Sequence, residues 1–136
     1  MVLLWSVACA PKVEFNLVPD GLEFGVVDFA GEMPADGYAF DEVVLQNDGK
    51  ATIVLTLPAY DTLRLCLKGF DVDREYPIEL GEVAPGASYL LGIGLCSYVD
   101  GEVDTDVETR VDVRTDGAPD VLSIPVTFTP IRSVAP

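Results

Sequence analysis

Cys66, within LRLCLKG, and Cys96, within GIGLCSY, are the side chains of this sequence best placed by type and spacing for covalent chemistry. A cysteine nucleophile needs a base or a cation to make its thiolate. The chain contains no histidine, so the commonest general base, proton shuttle and transition-metal ligand are all missing. That leaves the two cysteines as a bridge, or as two small buried hydrophobes. The other reactive groups are the 23 acidic residues. DVDRE (71–75) and DGEVDTDVE (100–108) invite a calcium reading, but calcium takes six to eight oxygens from loops that wrap around it. The second string lacks EF-hand spacing, and its acids alternate with valine and threonine, a row about 7 Å apart on a strand. Asp71, Asp73 and the turn residue Asp100 remain weak calcium candidates; no metal and no cofactor is assigned. Two acids for glycoside hydrolysis can always be chosen from so many, yet a domain of this size has little room for a cleft. The expectation is a protein that is not an enzyme.

The elements that would hold these residues read as strands. Val13-Glu14-Phe15-Asn16-Leu17 alternates apolar with polar, and LEFGVVDF follows the Pro19-Asp20-Gly21 turn. AGEMPADG (30–37) is a loop by composition. YAFDEVVLQ and ATIVLTL bracket Asn47-Asp48-Gly49-Lys50, which predicts a tight hairpin. Then come TLRLCLKGF, YPIELGEV, the turn APGAS and YLLGIGLCSY. EVDTDVETRVDVR (102–114) has period 2 throughout and predicts one regular strand with Glu102 among the solvated acids. In VLSIPVTFTPI, Pro125 and Pro130 cannot donate to a ladder, so this strand is expected at an edge, or paired only through its other residues. No segment carries helical periodicity. With 12 glycines, 10 prolines and 49% hydrophobic residues, the fold class is all-β: an antiparallel immunoglobulin-like sandwich of about 7–9 strands over residues 15–132.

The opening run MVLLWSVACAP is too short to span a membrane, which takes about 20 residues. It resembles a bacterial lipobox, with small residues before a cysteine that is lipidated and becomes the new N-terminus. By that resemblance Cys9 carries the lipid, and residues 1–14 are a signal-peptide tail and tether. The alternative is a first strand over residues 2–8 with Cys9 buried. With Cys9 on lipid, Cys66 and Cys96 make an even count in an oxidising compartment, where a bridge across about 30 residues contributes roughly 3–4 kcal/mol. Eight basic residues against 23 acidic ones give a net charge of −15, which repels nucleic acid and anionic lipid. Cations and basic protein patches suit it better.

LEFGVV, VVLQNDGKATIVLTL, LGEVAPGASYLLGIGL and VRTDGAPDVLSIPVTF, in that order and spacing, resemble the immunoglobulin-like domain of the abnormal-spindle and Hydin (ASH) group, relatives of the major sperm protein domain. The resemblance covers roughly residues 15–129 and brings no catalytic residues. Where that group has an aromatic-proline pair after the core strand, this chain has Cys96-Ser97-Tyr98. It implies a docking or scaffolding role. The resulting expectation is a lipid-anchored envelope or cell-surface protein that contacts another protein, or copies of itself, through sheet edges and loops, and meets the membrane only through Cys9. The alternative is a structural subunit of a filament, appendage or virus particle, with the apolar start as an uncleaved assembly arm. Phe70 and Tyr76, flanking DVDRE, are a further candidate contact patch.

Overall fold

Strands that bury every second side chain give each sheet one apolar face, and two such faces close over a shared core. The computed structural model describes residues 15–70, 75–117 and 120–133. Among these residues the strands are β1 (Phe15–Val18), β2 (Leu22–Asp28), β3 (Ala39–Asn47), β4 (Ile53–Leu57), β5 (Leu65–Leu67), β6 (Ile78–Val83), β7 (Ser88–Leu95), β8 (Val107–Thr115) and β9 (Val121–Ile131). One sheet has the order β1-β3-β7-β5 and the other β2-β9-β8-β4-β6. Every pairing is antiparallel except β2 with β9. The architecture is the immunoglobulin-like sandwich that the strand pattern predicts. Leu91, Ile93 and Leu95 of β7 and Val43 and Leu45 of β3 meet Leu55, Val111, Val113, Ile124 and Val126 of the second sheet, all fully buried.

Asn47-Asp48-Gly49-Lys50 is not a hairpin. β3 lies in the four-stranded sheet and β4 in the five-stranded one, so this turn carries the chain across the sandwich. The reason lies in Asn47, a wholly buried polar side chain. Its amide nitrogen donates to the carbonyls of Ala51 (2.9 Å) and Val83 (2.8 Å), while its oxygen accepts from the backbone N–H of Gly49 (2.9 Å). Its own backbone binds the second crossover, which joins β6 to β7. Gly86 N–H donates to the Asn47 carbonyl (2.8 Å) and Asn47 N–H donates to Ala87 (3.0 Å). One residue thus fastens both crossovers at one pole of the sandwich.

Two further expectations are corrected. β9 is an interior strand, between β2 and β8. Its prolines are tolerated because each sits beside the end of a ladder: Pro125 lies just before the first β2 pair, Leu22 with Val126, and Pro130 lies past the last β8 pair, Val107 with Phe128. Residues 102–106 are not part of the long regular strand. Asp100–Glu102 form a 3₁₀ turn, Asp104 adopts φ 64°, and the strand begins at Val107. Local bonds take over there, with the Thr105 hydroxyl (2.6 Å) and the Thr105 N–H (3.0 Å) both donating to the Glu102 carbonyl, while Asp104 N–H keeps a single bond to Pro130 of β9 (2.8 Å).

Candidate docking face

The outer face of the four-stranded sheet is built from the alternate residues of the same strands. On β3, Val43 and Leu45 point inward, so Phe40, Glu42, Val44 and Gln46 point outward; on β7 the outward set is Ser88, Leu90, Gly92 and Gly94. Register then places Val18 beside Val44, and Val44 beside Leu90. This apolar row crosses three strands, a width of roughly 10 Å. Val18 is 54% exposed and Leu90 56%.

The row continues along the sheet because β7 carries glycine where side chains would otherwise stand. The Phe40 ring and the Lys68 stem lie directly over Gly92, and the Asp36 carbonyl with the Cys66 sulfur closes over Gly94, where a Cβ would not fit. Beyond them is a groove of about 380 Å³ lined by Met33, Phe40, Lys68, Phe70 and the two cysteines. The Lys68 ammonium sits 5.5 Å from the centre of the Phe40 ring, a cation–π contact. Cys66 and Cys96 are joined as a disulfide with Cα atoms 5.9 Å apart. The bond ties edge strand β5 to the end of β7 and forms part of the groove wall.

The sheet edges offer less. Both edges of the five-stranded sheet carry a bulge: Phe24 in β2 and Leu80 in β6 are extra residues opposite their partners, next to Gly25 (φ 68°) and Gly81 (φ 134°). Such bulges twist an edge away from a joining strand. At the other sheet, β5 has three residues and folds back through a bridge from Leu67 to Phe70, and β1 has four.

A polar cluster missing from the sequence reading braces the far pole. Arg64, in the turn before β5, donates from Nε (3.0 Å) and from a terminal nitrogen (2.5 Å) to Glu102, and from its other terminal nitrogen to Asp61 (2.8 Å). The Thr109 hydroxyl also donates to Asp61 (2.7 Å). Glu102 is therefore half-buried and paired rather than standing on a solvated strand. The Arg64 hydrogen bond holds its carboxyl below the usual range, and the Val99 backbone N–H assists. At Asp61, partial burial pushes the carboxyl up, but the bonds from Arg64 and Thr109 together outweigh it and the net shift is downward. Spacing gave little warning of this cluster, because its members lie 3, 38 and 48 residues apart.

Among the described residues singled out by sequence, Cys66 and Cys96 are joined and Phe70 lines the same groove. Asp100 opens the 3₁₀ turn. Among the described residues no three acids or cysteines converge as a metal site. Cys9, Asp71 and Asp73 lie outside the described residues. Phe70 lines the groove, and Tyr76 packs edge-on against Tyr60, ring centres 5.5 Å apart.

No family model and no curated protein matches the chain. Solved structures do. SSP-19, an MSP-domain protein like family member in Caenorhabditis elegans, superposes with a TM-score of 0.55 at 16% identity, over 84% of this chain and 98% of that one. The ASH/PapD-like domain 7 of human CEP192 gives 0.56 at 13% identity, over 91% and 89%. The periplasmic chaperone SfaE gives 0.54 at 14% identity, over 90% of this chain but 59% of its own. The fold is that of the MSP and ASH/PapD-like domains. The resemblance read from the strand order therefore holds at the level of fold.

Proposed function

We propose that this domain is a non-enzymatic protein-contact module of the cell envelope, held there by a lipid on Cys9. The observation that carries protein contact is the row Val18–Val44–Leu90, half-buried at its centre and exposed at both ends, on a chain with a net charge of −15. Contiguous apolar patches of this kind mark interaction sites on soluble domains. The Cys66–Cys96 bond supports an oxidising compartment, and the likeness to MSP, ASH and chaperone domains supports a binding role rather than a reaction. No substrate and no cofactor enters this reading.

Two measurements on material from the natural source test its two halves. A photo-crosslinking residue at Leu90 is expected to capture protein, and the same residue at Thr127 on the opposite face is not; equal capture at both sites, or none at Leu90, sinks the contact role. Intact mass tests the anchor. A chain starting at Cys9 with added acyl mass supports it. A chain still carrying VLLWSVA points instead to the assembly-arm alternative.

A further inference from the structure

We infer that the partner is a cationic amphipathic segment of another protein, laid across the outer face of the four-stranded sheet from Val18 to the groove beside the disulfide. The inference rests on the contact role proposed above and names the chemistry of its partner.

The face has the two features such a segment requires. Its apolar anchors run in two directions: Val18, Val44 and Leu90 across the strands, and Val44 to Phe40 along β3, four residues or roughly 13 Å apart. On a helix rising about 1.5 Å per residue that distance spans about eight to nine residues, so a segment of two to three turns reaches both anchors. Met33, 43% exposed, continues the band at the groove. The second feature is charge. Glu42 stands on β3 between Val44 and Phe40, opposite Gly92, exposed to solvent, and no described lysine or arginine forms an ion pair with it. Exposed Asp36 and Asp48 stand in the loops at the two ends of β3, and Lys68 is the basic residue lining the groove. A lysine or arginine flanking an apolar stripe would meet Glu42 while its neighbours cover Leu90 and Phe40. The same charge argues against a second copy, since two chains of −15 repel over the surface they would share.

The opposite face of the sandwich offers no comparable band. Its exposed apolar residues Val26 and Val121 pair with Thr129 and stand beside Arg114, at opposite ends of the β9 ladder. Two of its acids are already engaged: Asp112 accepts from Ser123 (2.6 Å) and Asp106 from Thr129 (2.7 Å).

The test is a titration of the isotope-labelled full chain with an amphipathic peptide of about 18 residues, leucines on one face and lysines on the other. A control peptide replaces each lysine by glutamate. The lysine peptide is expected to shift amides of β3 and β7 saturably. Leu90→Asp should weaken binding by roughly tenfold or more and Glu42→Lys several-fold, with Thr127→Lys without effect. Both test positions are exposed, so the variants are expected to fold. Equal binding of the glutamate peptide, shifts centred on β8 and β9, or indifference to Leu90→Asp overturns the inference. So do concentration-dependent shifts of β3 and β7 in the free chain, which assign the face to a second copy. Shifts of the same amides by phosphatidylcholine vesicles assign it to lipid, and contacts from residues 2–8 to Leu90 assign it to the chain's own start. If the peptide fails while crosslinking at Leu90 still captures protein, the partner's chemistry is wrong and the contact role stands; if both fail, the contact role goes with it.

Discussion

The two outer faces of this sandwich are made from the same kind of strand and end in opposite surfaces. On the five-stranded sheet, outward positions of β8 and β9 hold Glu108, Arg110, Asp112, Arg114, Ser123 and Thr127. Asp112 is paired twice there, with Arg110 at 3.6 Å and with the Ser123 hydroxyl at 2.6 Å. On the four-stranded sheet, outward positions of β3 and β7 hold Phe40, Val44, Leu90, Gly92 and Gly94 beside Glu42, Gln46 and Ser88, with the disulfide at the groove. Both sheets bury an equally apolar inner face, so stability does not explain the difference. The contrast teaches that the outer row Val18–Val44–Leu90 lies apart from the buried core.

That contrast can be broken or sharpened within a single strand. Ile93 of β7 is wholly buried, and Leu90 is mostly exposed. Ile93→Ala is expected to cost about 2–5 kcal/mol in urea unfolding, and Leu90→Ala within about 0.5. A comparable loss at Leu90 would mean that the outer row is structural after all. Next in size is the disulfide, which closes a separation of 30 residues. Replacing both cysteines by alanine should cost roughly 3–4 kcal/mol on the loop-entropy model. The same variant should also loosen β5, read as faster amide exchange at Leu65–Leu67, with β8 unchanged.

Asn47→Ala comes third, at about 1–3 kcal/mol, because it leaves the buried Val83 carbonyl without its donor. Smallest is the Arg64 cluster. Asp61 and Glu102 both titrate below their ordinary range in the folded chain, so the unfolded chain binds protons more readily. Their contribution is complete above the ordinary carboxylate values, about 3.8–4.5, and is lost as pH falls through the lowered native ones. Arg64→Met is expected to remove about 1 kcal/mol or less at pH 6, because the groups are partly solvated, and to flatten the acid limb between pH 5 and 2. An acid limb identical to that of the native chain would assign the pH dependence elsewhere.

Most of the fold was legible because alternation is a local property. LEFGVVD, IVLTL and VLSIPVTFTPI appear as strands with nearly the boundaries read from the sequence. Which sheet each strand joins was not legible at 47–50, since an Asp-Gly turn looks the same whether its flanking strands pair or part. The deciding group, the Asn47 side chain, acts through Val83, 36 residues away. Residues 102–106 misled for a related reason: period 2 persists in the letters after the backbone has left the ladder for local bonds. The docking face was invisible as a unit. Val18, Val44 and Leu90 become neighbours only through register, and the flatness around Gly92 and Gly94 reads in sequence as ordinary turn-like glycine. Cys66 and Cys96 were legible as a pair because few cysteines leave few pairings.

The placement of the crossovers also sets how the domain bears load. β1 enters at the pole fastened by Asn47, where Phe15 pairs with Asn47 itself, and β9 leaves at the opposite pole, where Ile131 pairs with Asp28. A pull applied between the two ends therefore runs along the strands. It sets the β1–β3 and β2–β9 ladders in shear, so that many hydrogen bonds must yield together rather than open one after another.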